Sequence, residues 1–346
     1  MVAPLSKLAA EALAQVGEAD GQRSFALWMD TAHGELARGD AYEAFSSEAA
    51  FAAAARAVLD VHLGANAATH KRAFPHIYEP PLFAWYRPSR EFVEQLVDVV
   101  QTHSGSDPAE LLGWLYQFSI PEHIRRQLGH FYTSGEIVAS MLDGVGFTGS
   151  VCLTERLIDP ACGAGAFLIE ATRRILAEAD KAGLSSVESC TAVQRAVHGL
   201  DLNPLGVLLT EAALALLLAP RIAALPDGAE LQSLHLYVTD SLRAGELRAE
   251  AHANVAEDIK ARGGEYESGF SFVVANPPYA KWPSRLMTPE QARRFSATTY
   301  GHPNLYGLFL QVGVELLADG GRLAFINPKS FVSGLYFRNL RQFLKR

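Results

Sequence analysis

Apolar positions follow two regimes along the chain. Up to about residue 65 they recur at helical spacing, as in Phe45, Phe51, Ala55, Val58 and Leu59, on an alanine-rich background. Farther on, short apolar runs alternate with helical patterns. The runs are Val151-Cys152-Leu153 with Leu157-Ile158, then 196–202, 234–238, 270–274 and 323–326. Helical patterns fill 167–176, 205–218 and 305–317, and another starts at Leu335. This alternation predicts an α/β fold with a mostly parallel sheet covered on both faces. Residues 92–100 and 111–118 predict two more helices, 180–194 a polar connector, and 244–270 a helix and loop outside the core.

The first run leads into Asp159-Pro160-Ala161-Cys162-Gly163-Ala164-Gly165-Ala166-Phe167, which reads as strand, glycine turn and helix. The glycines allow a tight turn and close approach of a ligand. The third glycine of a dinucleotide fingerprint is missing, because Leu168 stands there. Asp159 at the strand end would repel a pyrophosphate but suits a cationic amine such as that of S-adenosylmethionine.

In such a sheet ligands lie beyond the carboxyl ends of the strands. The five predicted tips are Asp159, Asp201, Asp240, Asn276 and Asn327. Asp201 is a candidate to accept both hydroxyls of a ribose, and Asp240 to accept from an adenine amino group. The alternative for Asp201 is a solvated loop acid or helix cap, and for Asp240 a cap of the following segment. Asn276-Pro277-Pro278-Tyr279 has the most direct chemistry. Its prolines stiffen the backbone and remove two donors. That leaves the Asn276 side-chain oxygen and the Pro277 carbonyl as acceptors for an exocyclic amino group. Tyr279 can stack on a base, worth roughly 1–3 kcal/mol. The alternative is a rigid turn with a packed tyrosine. Upstream, Thr133 or Ser134 is a candidate N-cap, with Glu136 suited to the helix dipole.

Bulk properties narrow the classes. At 346 residues the chain can form one large domain or two ordinary ones. The net charge of -8 disfavours a whole-surface nucleic-acid binder but leaves room for a local basic cleft. The three scattered cysteines suit a reducing compartment and lack metal-ligand spacing, so no metal is expected. Cys162 reads as a small buried filler. No membrane span or signal sequence is evident, which predicts a cytoplasmic protein without a membrane partner. Residues 66–90 combine basic side chains with Tyr78, Trp85 and Tyr86. They suit either a phosphate backbone or a connector with inward aromatics.

In combination and order these motifs resemble adenine-N6 DNA methyltransferases of restriction-modification and related phage-defence systems. The resemblance spans about residues 110–346. It is to the branch whose cofactor motifs precede the catalytic one. Gly129 with Phe131-Tyr132-Thr133-Ser134 resembles the leading motif, with Ser134 in place of a usual proline. Asp159–Phe167 resembles the cofactor loop, with Ala164 where serine is common. Asp201-Leu202-Asn203-Pro204 and Asp240 resemble the next two motifs. Asn276–Tyr279 matches the catalytic tetrapeptide. Gly320-Gly321 through Ile326, Pro328, Ser330 and Phe331 resembles a later structural motif.

The resemblance implies a Rossmann-like class I methyltransferase domain over 129–346, incomplete at its C-terminal end, after a helical region over 1–128. It implies S-adenosylmethionine as cofactor, held by Tyr132, Thr133, Asp159, Ala161, Cys162, Gly163, Gly165, Phe167, Asp201, Leu202, Asp240 and Asn276. It implies double-stranded DNA as partner and a flipped adenine held by Asn276, Pro277, Pro278 and Tyr279. Asn304 and Tyr306 fall in a variable motif lining the target pocket. The family's target-recognition region is expected from a further C-terminal segment or from another defence-system subunit. This chain alone is therefore expected to bind DNA weakly. The rival enzymes are an RNA guanine-N2 methyltransferase and a glutamine-N5 protein methyltransferase. The Phe131-Tyr132-Thr133 element argues against both. A rival of another class is a non-catalytic cofactor-binding assembly subunit.

Overall fold

The computed structural model describes residues 10–29, 38–64, 73–78, 80, 82–91, 93–95, 112, 133–242, 269–279, 281–282, 287–299 and 304–345. Gly129, Phe131, Tyr132, Arg285, the 244–268 stretch and most of the helices expected at 92–100 and 111–118 lie outside these residues.

Among the described residues five parallel strands form one sheet: β1 (Leu157–Asp159), β2 (Val197–Asp201), β3 (His235–Val238), β4 (Phe270–Ala275) and β5 (Leu317–Phe325). Their order is β3-β2-β1-β4-β5, all neighbours being parallel. The chain first extends the sheet on one side of β1, then crosses to the other side to lay down β4. The crevice beyond such a reversal is where α/β sheets hold ligands.

Each strand tip is set by its own sequence. The Cys162–Gly165 turn leads from β1 into α6 (Ala166–Lys181). Asn203 caps α8 (Pro204–Ala223), its side chain accepting from the Leu205 amide at 2.8 Å, with Pro204 in the first turn. Helix α8 has the length and apolarity of a membrane span but is mostly buried. It packs against α2 (Arg38–Leu63), which joins α1 (Ala19–Met29) in the N-terminal region, and against α3 (Pro75–Tyr78). These helices share one apolar core with α6 and one face of the sheet. The other face carries α10 (Leu305–Leu316), where Leu308, Phe309, Val312 and Leu316 meet Ile158, Leu200 and Val273. Alternation along β1 therefore serves both layers, with Leu157 in one and Ile158 in the other.

Two expectations are corrected. Val151-Cys152-Leu153 is not strand but part of a helical turn, α5 (Val151–Thr154), so β1 begins only at Leu157. An apolar run fits either geometry, and Ser150 with Glu155 leaves this one too short for a buried strand. The 180–194 connector instead contains most of α7 (Ser186–Ala196). Its capping box is complete: Ser185 accepts from the Glu188 amide, and the Glu188 carboxylate accepts from the Ser185 amide.

Gly320-Gly321 forms an irregularity inside β5. Phe270 pairs with Leu317 and Phe272 with Arg322, so extra residues are looped out between those pairs. The aromatic connector packs inward, with Ile77, Tyr78, Phe83 and Tyr86 buried. His76 bonds the Leu236 carbonyl.

Candidate functional site

Four of the predicted residues converge where the chain reverses. Asp159 ends β1, Asp201 ends β2, and Thr239-Asp240-Ser241 leave β3. Asn276 leaves β4, which lies directly beside β1. Backbone bonds tie the tips together. The Cys162 amide donates to the Leu200 carbonyl at 3.0 Å, and the Thr239 amide to the Asp201 carbonyl at 2.8 Å. The Ser241 hydroxyl donates to the Pro160 carbonyl.

The glycine turn is folded by the acids around it. Asp159 is buried, and its carboxylate accepts from the Ala161 amide at 2.9 Å. Burial pushes its carboxyl well above the usual carboxylate range; the Ala161 bond opposes this and the nearby Asp201 charge adds to it. Asp201 accepts from the Gly163 and Asn203 amides, both at 2.8 Å. Part of its hydrogen-bonding capacity is thus spent on the turn itself. Asp240 likewise accepts from the Leu242 amide at 3.0 Å.

The two glycines have different reasons to be there. Gly165 has φ of 84°, and a Cβ on it would lie 2.8 Å from the Thr210 hydroxyl oxygen. That residue is dictated by packing. Gly163 has φ of 52°, and a Cβ there would meet nothing within 4 Å. The Gly163 backbone therefore faces open space, and a ligand can come close to it. Leu202 stands exposed beside Asp201. Cys162 and Phe167 are buried in the core, and the Cys162 amide and carbonyl are spent on Leu200 and the Gly165 amide, so Cys162 serves the turn itself. Burial, then the Asp201 and Asp159 charges, hold the Cys162 thiol well above its ordinary value, which makes it a poor nucleophile.

At the β4 tip, Asn276 is held from two sides. Its Nδ2 donates to the Thr133 hydroxyl at 3.1 Å, and its Oδ1 accepts from the Tyr279 hydroxyl. Tyr279 also donates to the Ile326 carbonyl at 3.3 Å, just past β5. Tyr306 of α10 stands edge-on to Tyr279 with centroids 6.3 Å apart. Pro277 is buried and Pro278 half-buried. Burial raises the Tyr279 phenol, which stays protonated at neutral pH. Ser134 precedes α4 (Gly135–Val145) without a side-chain cap, while Thr133 is committed to Asn276. That link between residues 143 apart in sequence was not foreseeable from spacing.

Residues 195–346 match the family described as Eco57I restriction-modification methylase. That match covers less than half of this chain, which is similar in sequence to restriction-modification methyltransferases. The type II methyltransferase M.BstVI of Geobacillus stearothermophilus is 28% identical over 229 residues, 65% of this chain and 38% of that protein. M.BsuBI of Bacillus subtilis is 40% identical over 75 residues, 22% of this chain and 14% of that one. This chain thus spans well under half the length of these relatives. Among solved structures, the DrdV–DNA complex aligns with a TM-score of 0.64 at 18% identity, over 99% of this chain and 36% of that one. That likeness concerns the fold. The asparagine corner, Asn276–Tyr279, lies within the matched segment, whereas Thr133, Asp159 and the glycine turn precede it.

Proposed function

We propose that this chain transfers a methyl group from S-adenosylmethionine to the N6 amino group of an adenine flipped out of duplex DNA, within a restriction-modification or phage-defence system. The sheet is read as a Rossmann-like class I methyltransferase core, with its domain starting near residue 129 and a cytoplasmic setting. The observation that carries the proposal is the position of Asn276. It leaves the strand adjacent to β1, next to the acid-flanked glycine turn, with its amide gripped by Thr133 and Tyr279.

The residues present fit the cofactor. Gly163 offers open backbone, Asp159 a buried carboxyl that a cationic amine would draw back toward its ionised form, Asp201 a carboxylate at the tip of β2 for a ribose, and Leu202 an exposed apolar surface. When bound, the cofactor supplies an activated methyl group. The chain's own part is placement. The adenine amine is a weak nucleophile because its lone pair is delocalised into the ring. The Asn276 oxygen and the Pro277 carbonyl accept its two hydrogens and favour a pyramidal nitrogen. Tyr279, steadied by Tyr306, stacks on the base. The Tyr279 hydroxyl now bonded to Asn276 must yield its place to the amine as the base enters.

The test is transfer of an isotopically labelled methyl group to unmodified duplex DNA, total RNA and protein, followed by nucleoside and amino-acid analysis. Label in N6-methyladenine from DNA supports the reading. Label in guanine of RNA or in glutamine would replace it with one of the rival enzymes. Cofactor binding without transfer to any substrate would favour an assembly subunit.

A further inference from the structure

Charge is segregated along this chain. Residues 276–346 carry ten Lys and Arg against three Asp and Glu, while the whole chain carries 30 against 38. The excess begins at the Asn276 corner. Some of these cations have structural partners. Arg294 is bound to Glu315, Arg322 donates to the Val145 carbonyl, and Arg341 donates to the Phe331 and Gly334 carbonyls. Besides Arg293, in the last turn of α9 (Pro289–Arg294), four others are exposed: Lys281, Lys329, Arg338 and Lys345. Among the described residues none of the four pairs with a carboxylate.

All four lie on the segments that follow the tips of β4 and β5. Lys281 bridges to Asn304, directly before α10. Lys329 follows the β5 tip and precedes the short helix α11 (Ser330–Ser333). Arg338 opens α12 (Arg338–Phe343), and Lys345 lies just past its end. A small apolar cluster of Tyr306, Phe337 and Leu340, with Tyr279 packed against it, fastens this segment beside the corner. Asn339 adds a bond to the Thr299 carbonyl. These cations therefore lie on the segments that pack against Tyr279, the residue on which a planar base would stack.

We propose that Lys281, Lys329, Arg338 and Lys345 form a phosphate-contact face that grips duplex DNA on the backbone flanking the base presented to Asn276. The proposal rests on the function given above. Extruding a base costs a few kcal/mol, and contacts made beside the extruded nucleotide are well placed to offset it. Exposed ammonium and guanidinium groups bind phosphates by releasing condensed counterions, at little desolvation cost. They position the duplex and carry no sequence information. The acidic remainder of the chain keeps the duplex off other surfaces, which concentrates a weak overall affinity on one face.

The experiment measures the affinity of the whole chain for an unmodified mixed-sequence duplex as a function of salt. It compares the wild type with Lys329→Ala/Arg338→Ala/Lys345→Ala and with a control, Arg23→Ala/Arg90→Ala/Lys181→Ala, which removes exposed cations elsewhere. The first variant lowers the slope of log Kd against log salt by about 2–3 and weakens low-salt binding at least ten-fold, while the control matches the wild type. Equal slopes in all three proteins overturn the face. So does a variant that loses binding to anionic phospholipid vesicles while keeping duplex binding, since the same cations beside exposed Val332 and Leu335 would also suit a membrane surface. Methyl transfer by the wild type with an unchanged variant slope overturns the face and leaves the reaction standing. Steep salt-dependent binding lost in the variant, with no methyl transfer by the wild type, overturns the reaction and leaves the face standing.

Discussion

The Asn276 amide nitrogen donates to the Thr133 hydroxyl at 3.1 Å, joining the tip of β4 to the residue two positions before α4. This bond fixes which way the amide faces. With Nδ2 committed to Thr133, Oδ1 is the atom turned toward Tyr279 and, in the proposed reaction, toward the amine. Thr133→Val keeps the shape and removes the acceptor. It should lower turnover about ten-fold, the equivalent of a net bond of about 1–1.5 kcal/mol. Thr133→Ser should restore most of the loss. Steady-state methylation of duplex DNA with separate kcat and KM values for both variants checks this. Equal rates for wild type and Thr133→Val would remove Thr133 from the account.

Gly163→Ala and Gly165→Ala should fail in different ways. Both positions have positive φ, which costs an L side chain about 1–2 kcal/mol. At Gly165 the new methyl also collides with Thr210, adding roughly 1–3 kcal/mol of overpacking. Gly165→Ala should therefore show the larger drop in thermal midpoint. Gly163→Ala should unfold closer to wild type yet lose S-adenosylmethionine affinity, because its methyl fills the space left for the ligand. Calorimetric titration and thermal melts on the same samples separate the two effects.

Asp159 couples the site to stability. Its folded pKa is raised, so the unfolded chain gives up the proton first. The contribution to stability is full below an unfolded value of about 4 and is lost as pH rises through the folded value. Asp159→Asn keeps an acceptor for the Ala161 amide and removes the titration. Without cofactor this variant should melt higher than wild type at neutral pH, with the gap closing toward pH ~4. Its cofactor affinity should fall. A wild type that melts no lower than the variant at any pH would contradict the buried acid.

His198 acts in the opposite direction. The rings occupy paired positions on β2 and β3 and stack at 4.5 Å, with Phe270 edge-on to His198. Burial, then the neighbouring His235 and Arg156, hold His198 well below the ordinary histidine value. The unfolded chain therefore takes up the proton first. Stability is present above about pH 6.5 and falls as pH drops below it. His198→Phe retains an aromatic ring and should flatten that acid-side loss. Melting curves of both proteins across this range provide the check.

Much of the site was legible because strand tips announce themselves. An apolar run that ends in Asp159, Asp201 or Asn276 and then meets glycine or proline has few ways to continue. The helical spacing from Leu205 likewise located α8 to within a residue of its observed start at Pro204. Helix α7 was missed because its composition is polar, although the Ser185 and Glu188 spacing of a capping box was there to be read. Val151–Leu153 was misread because three apolar residues cannot distinguish a strand from a helical turn. The Thr133–Asn276 bond and the fit of Gly165 against Thr210 depend on tertiary approach. No local pattern encodes either.

Mapping N6-methyladenine across the DNA of cells that carry the native system, with Asn276 intact or replaced by alanine, tests the proposed chemistry most directly. The account predicts methylated adenines at a recurring sequence in the first case and none at that sequence in the second. Methylation that persists with Asn276→Ala, or an intact system that leaves every adenine unmethylated, would contradict it.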